Sequence, residues 1–159
     1  MYKRQLDAGD DEAGRWLLAC VFADQPRRAD RLRAALAIAR RFPPPLVRAD
    51  GPAHAAELAL AGQPEMHPVV WHSAALVYTY ESQQRAMTES LDRAGAATDL
   101  TWIFLEGREG RAGLPPVQIS ERAVSAGFAL VAVSYRGGER SVRQLAGVDP
   151  HGATMQWLA

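Results

Sequence analysis

Apolar positions in the first forty residues recur at helical spacing. Between Asp10 and Ala23, Trp16, Leu17, Cys20 and Val21 fall on one side of a short helix that Asp10 or Asp11 can cap. A second helix follows the Gln25-Pro26 break, with Pro26 in its first turn. Leu32, Ala35, Leu36 and Ala39 form its apolar stripe, and Arg28, Asp30, Arg31 and Arg33 its polar face. Phe42-Pro43-Pro44-Pro45 ends it, because proline removes a donor and clashes with the preceding turn.

From there the period changes. Leu46 to Asp50 reads as a short strand stopped by Gly51-Pro52, and residues 53–61 as an alanine-rich helix closed by Gly62 and Pro64. Pro68 to Ala74 is a run without polar alternation, as expected of a strand covered on both faces. Glu81 to Ala94 predicts an amphipathic helix ending near Gly95, and Leu100 to Leu105 a buried strand that delivers Glu106 and Gly107 at its carboxyl end. Residues 107–116 read as a loop. Phe128 to Tyr135 reads as a strand, and Arg136-Gly137-Gly138-Glu139 as a hairpin turn into 140–148. A last strand falls within Ala153 to Leu158. Alternating strands and helices followed by a hairpin predict an open α/β sheet, parallel with an antiparallel ending and with helices on its faces.

Composition narrows this picture little. The 159 residues suffice for one domain core, and 48% apolar with 23% charged residues is ordinary globular usage. Eighteen basic residues balance eighteen acidic ones, which gives no electrostatic reason to expect nucleic acid or an anionic membrane as partner. One cysteine, Cys20, excludes a disulfide framework, and its apolar neighbours suggest a small buried hydrophobe. No run approaches the roughly twenty apolar residues of a membrane span, and the first residues lack a signal-peptide core. The expectation is a cytoplasmic protein.

Candidate chemistry collects where strands end. In open α/β sheets ligands bind outside the carboxyl ends of the strands, which places Asp50, His72, Ser73 and Glu106 at one cleft. His72 and Glu106 are the candidates for acid–base roles, and Asp50 and Ser73 for ligand or cofactor contacts. His151, in a turn, is a further candidate. Each has a plainer alternative: Asp50 a turn aspartate, His72 a core histidine, His151 an exposed turn residue. Ser73 adjoins His72 and so points to the other face, which excludes a nucleophile–base pair. No Gly-x-Ser-x-Gly, Gly-x-Gly-x-x-Gly or phosphate-loop pattern is present. The four histidines are too scattered for a metal motif, so no metal is expected.

Several segments, in order, resemble a known family. Arg15 to Gln25 with Arg28 and Arg31 to Leu36, Pro45 to Asp50, Val69 to Ala74 with Tyr78, and Leu145 to Gly152 with Trp157-Leu158 are similar to the bacterial family called domain of unknown function 2332. The resemblance carries no assigned reaction. It implies a Rossmann-like, methyltransferase-like arrangement of which this chain holds the C-terminal half, residues 6–159. The glycine-containing cofactor segment of the complete relatives would precede it. Tyr2 to Gln5 does not resemble the family and reads like a translated sequencing adapter, so residues 1–5 are expected to be a non-native extension of a truncated frame. The expectations that follow are a remnant or part of an S-adenosylmethionine-dependent methyltransferase-like protein or, alternatively, a non-catalytic binding or scaffold domain. No cofactor is evident in the chain itself, S-adenosylmethionine being a matter for complete relatives. The partner would be an unidentified small molecule, with self-association through an exposed sheet edge.

Overall fold

The computed structural model describes residues 6–47, 49, 51–62, 65–120, 127–149 and 154–158. It divides into two compact units, Met1–Arg48 and Ala49–Ala159.

The first unit is a pair of helices, α1 (Asp11–Ala19) and α2 (Pro26–Arg41). The Asp10 carboxylate accepts the N–H groups of Glu12 and Ala13 at 2.9 and 3.1 Å, satisfying donors that a helix start leaves unpaired. Pro26 sits in the first turn of α2, and Phe42 closes it by donating to Ile38. Arg40 ties the two helices together: its Nε donates to the Ala8 carbonyl and its Nη2 to Asp11, both at 2.6 Å. Leu36 is buried. Cys20 is exposed rather than buried, because α1 stops at Ala19 and leaves it as the cap residue.

The second unit is built on one sheet. After α3 (Gly51–Leu60) come β1 (Val69–Ser73), a 3-10 turn at Leu76–Tyr78, α4 (Glu81–Ala97), β2 (Leu100–Gly107) and a second 3-10 turn at Glu109–Arg111. The chain ends in β3 (Phe128–Arg136), β4 (Glu139–Val148) and β5 (Met155–Trp157). The strands lie in chain order, β1-β2-β3-β4-β5. Only β1 and β2, joined through α4, are parallel; the other three pairings are antiparallel. This corrects the expected run of parallel strands and gives a mixed, mostly antiparallel α/β sheet. The strand expected at Leu46 to Asp50 is also missing from the described part of that segment. Leu46 and Val47 belong to no strand and are 56% and 50% exposed, so local β-propensity alone did not make a strand there.

The main core lies on one face of this sheet. β2 alternates buried and half-buried positions, so Leu100, Trp102, Phe104 and Glu106 share that face. With Val131, Val133 and Tyr135 of β3, the three apolar residues pack against Met87 and Leu91 of α4, Ala56 of α3 and Leu76. Removing side chains of this size from water contributes about 1.5–3 kcal/mol each. Gly95, expected near the helix end, lies inside α4 instead. A Cβ there would come within 2.1 Å of the Tyr135 ring, so the glycine lets the ring lie against the helix. On the opposite face Leu130, Ala146 and Val148 form a smaller cluster with Ile103 and Leu105. The β3–β4 turn takes positive φ at both Gly137 and Gly138, +56° and +82°, as a two-residue hairpin turn requires. A bulge near Leu130/Val131 leaves Leu145 as the extra residue on β4.

Candidate functional site

The parallel register sets Phe104 beside His72. Side chains two apart on a strand share a face, so Trp102 and Glu106 flank Phe104 on the side to which His72 also points. The imidazole stacks on the Phe104 ring, with 5.7 Å between centroids and 9° between planes, and its two nitrogens reach the flanking residues. The Trp102 indole N–H donates to His72 Nε2 at 3.0 Å. Nε2 is therefore the acceptor nitrogen, and Nδ1 carries the proton that it donates to Glu106 Oε1 at 2.9 Å.

Glu106 is fully buried. Its Oε1 also accepts the backbone N–H groups of Ala75 and Leu76 at 2.8 and 3.1 Å. The chain is turned towards the carboxylate by Ala74, which takes φ +46° while its own N–H still extends the ladder to Leu105. A non-glycine residue in this conformation carries about 1–2 kcal/mol of strain, which the converging hydrogen bonds offset. Glu106 Oε2 is buried and, among the described residues, has no hydrogen-bond partner. Gly110 covers it so closely that a Cβ at that position would lie 2.5 Å away.

Gln84 fixes this cover. Its Nε2 donates to the carbonyls of Leu76 and Glu109 at 3.0 and 3.4 Å, joining the two 3-10 turns, and its Oε1 accepts the Gly113 N–H at 2.9 Å. Beside it, Arg111 donates to the Gly107 carbonyl at 3.2 Å. Burial, and then the neighbouring Arg108, lower the pKa of its guanidinium.

The structure thus brings His72 and Glu106 into direct contact. Ser73 is exposed and on the other side of β1, away from both. Asp50 and His151 lie outside the described residues. Sequence reasoning missed three members: Trp102, Gln84 and Gly110. Trp102 was legible as the residue four before Glu106 on an alternating strand. Gln84 shares the stripe of Met87, Leu91 and Gly95, the buried positions of α4. Nothing in the sequence marks Gly110 among the neighbouring glycines.

The cluster is closed. Two surface grooves, of 560 and 770 Å³, lie elsewhere: one beside Ile119 and Gln144, the other beside Leu60 and Asp99. Among the described residues no group of three His, Cys, Asp or Glu side chains is placed to hold a metal ion, and no helix is long and apolar enough to cross a membrane.

The model of one protein family, described as an uncharacterized protein conserved in bacteria (DUF2332), matches residues 4–157, and the chain belongs to that family. No curated protein and no solved structure matches it.

Proposed function

We propose that this member of the family is a non-catalytic binding or scaffold domain, in which His72 and Glu106 form a structural clasp rather than an acid–base couple. One observation carries the reading: both ring nitrogens of His72 are engaged, Nε2 by Trp102 and Nδ1 by Glu106. A general base must bring a free nitrogen within hydrogen-bond reach of its substrate, and here that nitrogen already accepts an indole N–H. The carboxylate oxygen facing His72 holds two backbone donors as well, those of the chain that leads into the first 3-10 turn. The clasp therefore fastens the segment after β1 to the carboxyl end of β2.

Carbethoxylation by diethyl pyrocarbonate, read residue by residue by mass spectrometry, tests this. His67 is exposed, although its ring also meets Thr101 and Arg136, and is expected to react; His72, whose side chain is 11% exposed and whose ring nitrogens are both engaged inside the fold, is expected to stay unmodified until the protein unfolds. Equal rates at the two residues would overturn the clasp.

A second reading, a small-molecule site, is favoured by the unpartnered Oε2 of Glu106. A ligand hydroxyl or ammonium would meet it if the Glu109–Arg111 turn lifted. S-adenosylmethionine, the cofactor of a Rossmann-like methyltransferase, is the first such ligand to try. Ligand at a hundred times its Kd would stabilise the fold by about 2.7 kcal/mol. The clasp predicts no change in melting temperature on its addition. A rise that Glu106→Gln abolishes would support the site instead.

A further inference from the structure

The residues that seal Glu106 are held less firmly than the carboxylate they seal. Oε1 accepts three donors. Oε2 is buried with no hydrogen-bond partner among the described residues, and Gly110 lies directly against it. A buried oxygen without a donor has lost its hydration and gained no bond in return. Closure of the Glu109–Arg111 turn therefore carries a cost that its opening removes. The same turn half-buries the Arg111 guanidinium, and that burial, with Arg108 beside it, disfavours the charged form. Opening relieves this as well.

The chain is fixed on either side of this turn. Gly107 pairs with Phe128 in the sheet. Gly113 lies hard against α4, where a Cβ would come within 2.6 Å of the Glu81 carbonyl oxygen. Its N–H donates to Gln84 Oε1 and its carbonyl accepts from Thr88 Oγ1, each at 2.9 Å, and Leu114 after it belongs to the core. Residues 108–112 span the gap between these two anchors, with Arg108, Glu109 and Ala112 exposed. Among the described residues, three hydrogen bonds tie them to their surroundings, and all are long. Gln84 Nε2 reaches the Glu109 carbonyl at 3.4 Å, Arg111 Nε the Gly107 carbonyl at 3.2 Å, and the Leu114 N–H the Arg111 carbonyl at 3.1 Å. The donors on Oε1 come instead from His72 of β1 and from Ala75 and Leu76 behind it. Residues 108–112 can lift without disturbing them, and Gln84 keeps its shorter bonds to Leu76 and Gly113.

We infer that residues 108–112 form a flap that opens on its own, with the sheet and the clasp intact, and uncovers Glu106 Oε2. The flap leaves the bonds on Oε1 in place, so it is compatible with the clasp. It also supplies the opening that a small-molecule site at Oε2 requires.

Carbodiimide coupling of glycinamide to the carboxyl groups of the whole chain, read residue by residue by mass spectrometry along a urea series, tests it. A local opening exposes little surface and so depends little on denaturant, whereas global unfolding depends on it steeply. Below the unfolding transition Glu106 is expected to gain label at a rate nearly independent of urea. That rate should exceed by about tenfold or more what the unfolded fraction accounts for, while the backbone amides of β2 stay protected from hydrogen exchange. Gly110→Ala is expected to hold the flap open, since its methyl group would lie 2.5 Å from Oε2 and 3.1 Å from the Val77 nitrogen. Labelling of Glu106 should then rise by a further factor of about ten, with the circular dichroism spectrum retained. Labelling of the parent chain that tracks global unfolding at every urea concentration would overturn the flap, whether or not the variant folds. So would a folded Gly110→Ala protein labelled at Glu106 no faster than the parent. Fast labelling in a protein whose melting temperature S-adenosylmethionine leaves unchanged would keep the flap and discard that ligand.

Discussion

Two polar clusters stand at opposite ends of the main core, and they are built on opposite terms. At the carboxyl end of β2, Glu106 is sealed from solvent and holds three donors on one oxygen. At the other end, Asp92 of α4 accepts the Tyr135 hydroxyl at 2.8 Å, and Arg140 Nη1 bridges both of its oxygens at 2.9 and 2.8 Å. The Asp92 and Arg140 side chains are 37% and 38% exposed. On paper the second cluster looks the stronger, because it contains an ion pair. Burial reverses the order. A lost acceptor is replaced by water at the exposed end, whereas at the buried end the stranded donors have none.

The largest effect that sharpens this contrast is expected at Glu106. Glu106→Ala strands the His72 Nδ1–H and the Ala75 and Leu76 N–H groups and is predicted to cost about 4 kcal/mol, given about 1–3 kcal/mol for each unsatisfied buried group. Glu106→Gln keeps an acceptor in place and should recover at least half of that loss in urea melts. Next comes Gly95→Ala, predicted to cost about 3 kcal/mol by driving a methyl group into the Tyr135 ring. Its melting temperature would drop although no polar contact is removed, which separates packing from hydrogen bonding at this end. Tyr135→Phe is expected to cost about 1 kcal/mol. Arg140→Ala should cost less than that, in the range of exposed ion pairs, and a loss comparable to that of Glu106→Ala would erase the contrast.

Tyr135 adds a pH signature. Burial first, then the hydrogen bond and charge of Asp92, hold its phenol well above the ordinary value of 10.0. The folded state thus keeps its proton where the unfolded chain releases it. The stabilisation is complete below pH 10 and declines as pH rises beyond it. Alkaline thermal melts are expected to show a fall that Tyr135→Phe flattens.

The sequence made much of this legible, for reasons that differ between elements. The strands at Val69, Leu100 and Phe128, the hairpin at Gly137-Gly138 and the helix from Glu81 are written in local periodicity and turn chemistry, and all are present. Strand direction is not local. Alternating strands and helices suggested a run of parallel strands before an antiparallel ending, and of that run only the β1–β2 pair is present; that β3 lies beside β2 in the opposite sense is specified by no property of Phe128 to Tyr135 itself. The same limit applies to the clasp. His72 and Glu106 were found because each follows or closes an apolar run, yet their contact depends on a register that sets His72 against Phe104. The helix end was misplaced at Gly95 because a glycine that stops a helix and one that admits a tyrosine ring look alike in sequence.

The two-glycine turn between β3 and β4 bears on the order in which the fold is made. It joins strands adjacent in the chain, so that hairpin requires the least loop closure of any pairing in the sheet and is expected to form early. The parallel β1–β2 ladder must wait for the whole of α4 to cross between its strands. Throughout that interval β1 has yet to pair with β2, and it carries no charged residue to keep it from pairing with another chain. Crowded nascent chains would then meet through β1 before β2 has claimed it, so refolding yield should fall as protein concentration rises, and a lysine at Trp71 should restore it.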